Sequence, residues 1–187
     1  MKQSQTIFRL MSFLRNASTY LILLAILVWF ALLSPEFLTV NNLLTVALQT
    51  SLIALVAIGM TFTIISGGID LSVGSTAALA GALAAGVATR LGLGTAAGLL
   101  VGLLSGMMIG LLNGALIVWG RMPPFVATLA TMAIARGLTL VYTQGRPIAG
   151  LEKSFTFWGG PGWLGVPMPV WVLAVVAAIA YLILKQT

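Results

Sequence analysis

Residues 93–119 read LGTAAGLLVGLLSGMMIGLLNGALIVW, a run of 27 residues without a charge. At 1.5 Å per residue, a helix of this length exceeds the roughly 30 Å hydrocarbon core of a bilayer. Each helical glycine costs roughly 1 kcal/mol against alanine, and small residues let membrane helices approach closely. We therefore expect this helix to pack tightly through a row of glycines four residues apart, namely Gly94, Gly98, Gly102, Gly106, Gly110 and Gly114.

Five further apolar runs lie on either side of this stretch. Lipid offers no partner for unpaired backbone groups, and the runs lack the two-residue alternation of barrel strands, so only helices fit. The sequence predicts an all-α, polytopic transmembrane helical bundle of about six spans, forming one transmembrane domain over residues 1–187. The other five runs are 17–33, 43–66, 71–89, 125–142 and 169–184.

The composition excludes a soluble enzyme. Hydrophobic residues make up 60% of the 187 residues and charged residues only 6%, against roughly 25% charged residues in soluble domains. The net charge of +6 does not indicate a nucleic-acid partner, because the basic residues flank the apolar runs. The chain has no Cys, no His and no GxxxxGK[ST] motif, so we expect no catalytic residues, no metal and no cofactor.

The distribution of basic residues predicts the orientation. Cytoplasmic loops are enriched in Lys and Arg, so we expect a cytoplasmic segment at 1–16 and an external loop at 143–168. The first run ends in Leu-Leu-Ser-Pro rather than a signal-peptidase site and is interpreted as a retained helix. Pro35 and the Asn41-Asn42 pair predict a break and an N-cap before the second span. This orientation places Lys2, Arg9, Arg15, Arg121 and Lys185 inside, and Arg90, Arg146 and Lys153 outside.

The segment SGGIDLSVGS, residues 66–75, separates the second and third runs. One interpretation makes Asp70 the N-cap of the third helix, where it accepts backbone N–H bonds. The other places the helix break at membrane depth, where polar atoms face a transport pathway, as in transporters with broken helices. The two are compatible, and Gly67, Gly68, Asp70 and Ser72 are therefore candidates for the translocation path.

Arg136 is the second polar outlier, because it lies in the middle of the run 125–142. An arginine there costs on the order of 2.5 to 3.5 kcal/mol on insertion scales, so it should face the bundle interior and have a partner. Asp70 is the only carboxylate near the interior of a span. This scarcity suggests an Asp70–Arg136 pair; the alternative is a bond from Arg136 to helix-terminal carbonyls.

The remaining polar residues of the spans suggest an uncharged passage. Gln49, Thr61 and Asn113 are further path candidates, although a hydrogen bond between helices is the more common role of any single polar residue of this kind. Together they suit a neutral hydrophilic solute better than an ion. The third run carries its own small residues, Gly74 and Ala78, for packing against the glycine row. Other polar residues in the spans are Thr50, Ser51, Thr63, Thr128 and Thr131.

Several motifs resemble the permease subunits of bacterial ABC importers for simple sugars, most closely those of the ribose type, and occur here in the same order. The most specific is GGIDLSVGS. The motifs are SPEFLTVNNL at 34–43, GMTFTIISGGIDLSVGS at 59–75, FVATL at 125–129, ARG at 135–137, VYT at 141–143 and LGVPMPVW at 164–171.

The resemblance implies a multi-pass permease of the bacterial inner membrane that takes up a sugar. It also implies the partners, namely a cytoplasmic ATP-binding subunit that hydrolyses ATP, a periplasmic sugar-binding protein, a second permease copy and membrane lipid. Family members are longer, so we expect the N-terminal portion of a permease that stops before the cytoplasmic coupling loop. Two alternatives stay open: a truncated fragment acting as a non-transporting scaffold, and a gradient-driven transporter.

Overall fold

A computed structural model describes the backbone of residues 2–186 and the side chains of residues 18–186. Within this range the chain is helical and contains no β-strand, which confirms the all-α prediction. The elements are α1 (Lys2–Leu33), α2 (Val40–Ile65), α3 (Val73–Thr89), α4 (Gly94–Val118), α5 (Pro124–Thr143), α6 (Lys153–Thr156), a 3₁₀ turn (Trp163–Gly165) and α7 (Met168–Gln186).

Four of the described helices, α2, α4, α5 and α7, are long and apolar enough to cross a membrane. The other two predicted spans correspond to shorter apolar helices, Ser18–Leu33 and Val73–Thr89. The prediction of a helical membrane bundle is therefore confirmed, with fewer full-length spans in the described residues than the six expected. The third predicted span is short because its first two residues belong to the turn that precedes α3.

The chain divides into two compact units, Met1–Val46 and Ala47–Thr187. In the first unit, the rings of Phe30 and Phe37 stack with centroids 5.7 Å apart across the turn that follows α1. The N-cap prediction for Asn41-Asn42 was wrong. Both lie inside the first turn of α2, and the cap is Thr39, whose Oγ1 accepts the Asn42 N–H at 3.4 Å.

In the second unit, α3 packs closely against α4 and α5. Two glycines of the α4 row allow this approach. A Cβ added to Gly98 would lie 2.5 Å from the Ala84 carbonyl oxygen, and one added to Gly102 would lie 3.0 Å from the Ala84 Cβ. The remaining glycines of the row, Gly94, Gly106, Gly110 and Gly114, have no described atom within 4 Å of an added Cβ, and the same holds for Gly74.

One end of this unit collects the end of α3, the start of α4 and the end of α5. Arg90 Nη1 donates to the Tyr142 carbonyl at 3.0 Å, and the guanidinium lies 5.5 Å from the Tyr142 ring centroid. Thr95 Oγ1 and Ser154 Oγ are 2.7 Å apart, which ties α6 to the start of α4. The loops predicted to be external thus meet at one end of the unit.

Candidate functional site

The segment between α2 and α3 is a tight turn that begins at two glycines. Gly67 has φ +80°, a conformation that side chains rarely adopt. The Gly68 N–H donates to the Thr63 carbonyl at 3.0 Å, so the turn closes over the last residues of α2. The helix break predicted at 66–75 is therefore present between Ile65 and Val73.

Three polar side chains form a hydrogen-bonded chain at this break. Ser72 Oγ donates to Asp70 Oδ1 at 2.6 Å, and Asn113 Nδ2 of α4 donates to Ser72 Oγ at 3.0 Å. Ser72 and Asn113 are 1% and 5% exposed. Because each donor polarises the next, such a chain is stronger than isolated bonds. We call these three residues the polar chain.

Asp70 is not the N-cap of α3, as one interpretation of the sequence had it. The N-cap is Ser72, and Asp70 lies two residues earlier, where its Oδ1 accepts the Ser72 N–H at 2.7 Å. This short-range bond is the local alternative to capping that Asp side chains commonly adopt. It fixes the carboxylate against the start of α3.

The start of α5 holds the turn from the other side. Thr128 is 2% exposed, and its hydroxyl donates to the Pro124 carbonyl at 2.8 Å and to the Ile69 carbonyl at 3.2 Å. A Cβ added to Gly68 would lie 3.6 Å from the Pro124 Cβ. The turn is thus anchored by both α4 and α5.

Asn113 lies five residues before the end of α4, about 7.5 Å along the axis, so the polar chain lies more than one helical turn inside that end.

Two cavities meet at the polar chain. The larger, of about 630 Å³, lies among α2, α3 and α4, and the smaller, of about 270 Å³, lies between the turn, α4 and the start of α5. Asp70 and Asn113 line both cavities. They therefore form a polar partition between two spaces whose other walls are mostly apolar.

Two buried oxygens beside the larger cavity accept no hydrogen bond. Among the described side chains, Asn113 Oδ1 and Thr76 Oγ1 are buried without a partner. The polar chain sets the orientation of the Asn113 amide. Because Ser72 Oγ donates its one proton to Asp70, it can only accept from Asn113, and the amide nitrogen therefore faces Ser72. An unsatisfied buried polar atom costs roughly 1–3 kcal/mol. The two oxygens are therefore positions at which an added hydrogen-bond donor would be stabilising.

The predicted Asp70–Arg136 pair is not formed. Within the described residues Asp70 makes its hydrogen bonds to Ser72 and has no ion pair with Arg136. Arg136 is exposed and lines a separate cavity of about 430 Å³ between α3 and α5, together with Ser75 and Thr139. The reason is helical phase, because Ser72 and Thr76 face α4 whereas Ser75 and Ala78 face α5.

The other sequence candidates lie apart from the polar chain. Gln49 and Thr61 are exposed on α2, and the Thr61 hydroxyl donates to the Ala57 carbonyl of its own helix at 2.8 Å. The turn thus brings together Gly68, Asp70, Ser72 and Asn113, and leaves Gln49, Thr61 and Arg136 elsewhere. The sequence interpretation missed Thr76, although its spacing of four residues from Ser72 places both on one helical face.

The site is built from hydrogen-bonding side chains next to mostly apolar cavity walls. Among residues 18–186 no group of three or more Asp and Glu lies close enough to hold a metal ion. The polar chain holds one carboxylate, one hydroxyl and one amide, and the carboxylate accepts the hydrogen bond of the hydroxyl.

The chain is similar to known transport proteins. Residues 42–187 match the family model described as "Branched-chain amino acid transport system / permease component". The chain is 39% identical over 191 aligned residues to the ribose import permease protein RbsC of Haemophilus influenzae, which covers 100% of the chain and 59% of that protein. It is 42% identical over 176 residues to the Bacillus subtilis protein of the same name, covering 93% of the chain and 54% of that protein.

A relative named for a different sugar is similar as well. The D-allose transport system permease protein AlsC of Escherichia coli is 36% identical over 164 residues, covering 87% of the chain and 50% of that protein. The chain thus spans about half the length of the curated relatives it matches. No solved structure matches the chain.

Proposed function

The chain belongs to the permease-component family of the branched-chain amino acid transport systems, and from this membership we propose that it is a permease subunit of an ATP-driven importer for a neutral monosaccharide. In this proposal the cavities on either side of the polar chain form part of the translocation path. The relatives named for ribose and D-allose import support a sugar as the transported molecule.

One observation carries the proposal. A buried chain of hydrogen-bonding side chains, Asp70, Ser72 and Asn113, stands between two cavities in an otherwise apolar helical unit. Polar groups at membrane depth are costly and are found where a bundle must handle a polar solute. The one carboxylate is already engaged by two donors from Ser72, which favours a neutral solute over a cation.

The proposal includes partners and a location. ATP hydrolysis takes place in a separate cytoplasmic subunit, because the described part of the chain offers no phosphate-binding loop. A periplasmic sugar-binding protein delivers the sugar, a second permease copy completes the transporter, and the protein lies in the bacterial inner membrane with its N-terminus in the cytoplasm. Support comes from the family and from the apolar helices.

Split-permease complementation tests the proposal. The chain is co-expressed with the C-terminal portion of the Bacillus subtilis relative that it does not cover, together with that importer's ATP-binding and sugar-binding proteins, in cells lacking their own ribose permease. We expect uptake of labelled D-ribose that stops when the ATP-binding subunit loses ATPase activity. The N-terminal portion of the relative, expressed in the same split form, is the positive control.

The alternatives give different results in this assay. A non-transporting scaffold would insert in the membrane but give no uptake while the positive control transports. A gradient-driven transporter would take up sugar without the ATP-binding subunit and would stop when the proton gradient is dissipated. Either result contradicts the proposed function.

A further inference from the structure

Three residues that line the larger cavity carry oxygens that could accept further hydrogen bonds. Asn113 Oδ1 and Thr76 Oγ1 have no hydrogen-bond partner among the described residues, and Asp70 accepts its bonds from Ser72 through Oδ1 alone. All three residues line the cavity of about 630 Å³. The amide oxygen and the carboxylate can only accept, so a molecule that satisfies this wall must donate.

The rest of the cavity lining is mostly apolar. Leu55 and Val56 of α2 and Leu103 and Met107 of α4 line it. A molecule with hydroxyl donors along one edge and C–H groups on its face would match both the polar and the apolar residues of this lining. A metal ion does not, because the described residues place no group of three carboxylates together.

Two glycines line the cavity without filling it. An added Cβ at Gly106 or Gly110 meets no described atom within 4 Å, and both residues line the cavity. These glycines therefore leave open space beside the polar wall, in contrast to Gly98, which is in close contact with α3.

We propose that this wall is a hydroxyl-binding subsite for a neutral polyol, in which Thr76 Oγ1 and Asn113 Oδ1 accept hydrogen bonds from the ligand and discriminate against analogues lacking a hydroxyl. The inference rests on the proposed function and specifies the ligand class of the same site. Both oxygens are buried in this conformation, so the ligand binds as the wall opens toward the cavity. A site with unpaired buried polar groups rejects a ligand that cannot satisfy them.

Thr76→Val provides the test. The change keeps the shape of the side chain and removes an oxygen that makes no hydrogen bond within the described residues, so the polar chain stays intact. The chain in lipid nanodiscs is titrated with D-ribose and with the deoxy-D-riboses that lack the 2-, 3- or 5-hydroxyl, and binding is followed by saturation-transfer NMR. We expect the unsubstituted chain to bind at least one deoxy sugar about tenfold more weakly than D-ribose.

In Thr76→Val the ratio of the Kd of this deoxy sugar to the Kd of D-ribose is expected to fall close to 1. The reason is that D-ribose loses the hydrogen bond that the deoxy sugar never made. Thr76→Ser should restore the ratio. Thr89→Val is the matched control, since Thr89 lies on the same helix, about 20 Å away, and its hydroxyl donates to the Ala85 carbonyl at 2.7 Å. If Thr76→Val loses helical content, Thr76→Ala replaces it.

The inference is overturned if Thr76→Val discriminates between D-ribose and the deoxy sugars as strongly as the unsubstituted chain does. It is also overturned if the unsubstituted chain binds no D-ribose, or binds D-ribose and every deoxy analogue with equal affinity. These outcomes are separate from failure of the proposed function. If the chain supports ATP-dependent uptake in the complementation assay but Thr76→Val leaves the Kd ratio unchanged, the proposed permease function stands and only the hydroxyl-binding subsite is rejected.

Discussion

Ser72 binds Asp70 twice, through its backbone N–H at 2.7 Å and through its hydroxyl at 2.6 Å, and both bonds end on the same carboxylate oxygen. The hydroxyl in turn accepts from Asn113. A single serine therefore connects the break between α2 and α3 to a side chain of α4. Since Ser72 is 1% exposed, water cannot replace either bond without opening the helix junction.

Ser72→Ala is expected to destabilise the chain by about 2 kcal/mol, because it leaves the buried Asn113 amide without an acceptor and removes one donor from Asp70. The free energy of unfolding is measured by SDS titration from mixed micelles. Ser105→Ala is the control, since the Ser105 hydroxyl donates to the Gly102 carbonyl of its own helix, at 2.8 Å, and has no bond to another described helix. Equal losses in the two variants would contradict the connecting role of Ser72.

The α4 glycines are expected to separate into two classes. Gly98→Ala should lower stability by about 1–3 kcal/mol, because the new Cβ would lie 2.5 Å from a backbone carbonyl oxygen of α3, which has little freedom to move. Gly106→Ala should be neutral or stabilising by up to about 1 kcal/mol, since no described atom lies within 4 Å of its Cβ position and alanine favours the helix. Helical content and unfolding in mixed micelles measure both variants, and comparable losses would disprove the distinction.

Much of the fold follows from one-dimensional patterns in the sequence. The apolar runs predicted helices because lipid permits little else, and Gly67-Gly68 with Asp70 predicted the break that lies between Ile65 and Val73. The polar candidates Asp70, Ser72 and Asn113 were selected because polar groups in apolar runs are costly. Each of these inferences depends only on neighbours along the chain.

The contacts between helices could not be predicted in the same way. Which side of α3 faces α4 depends on helical phase and tilt, and these decide that Asn113 reaches Ser72 while Arg136 lies on another face. The glycine row shows the same limit, because its four-residue spacing does not indicate that Gly98 and Gly102 meet α3 while Gly106 lines a cavity. Thr39 was missed as the α2 cap because the following asparagines also favour that position.

A further prediction concerns Gly86, where an added Cβ would collide with the Tyr142 hydroxyl. Gly86→Ala should displace the tyrosine ring and weaken its contact with the Arg90 guanidinium, which lowers stability by about 1–2 kcal/mol. The collision involves the end of a side chain, so Tyr142→Leu should relieve it. In a double-mutant cycle, Gly86→Ala is expected to be less harmful on the Tyr142→Leu background. Additive effects would contradict this contact.

Arg136 and Asp70 are expected to be energetically independent. Each lines a different cavity, and the two form no ion pair within the described residues. Asp70→Asn should weaken the hydrogen bonds from Ser72, because a neutral amide oxygen is a poorer acceptor than a carboxylate. Arg136→Gln should leave the stability of the chain unchanged or raise it, since it removes an exposed charge from an apolar helix. The double variant should show a coupling energy below about 0.5 kcal/mol, as for separated sites. A coupling of several times that size, measured by unfolding in mixed micelles, would restore the pair that the sequence suggested.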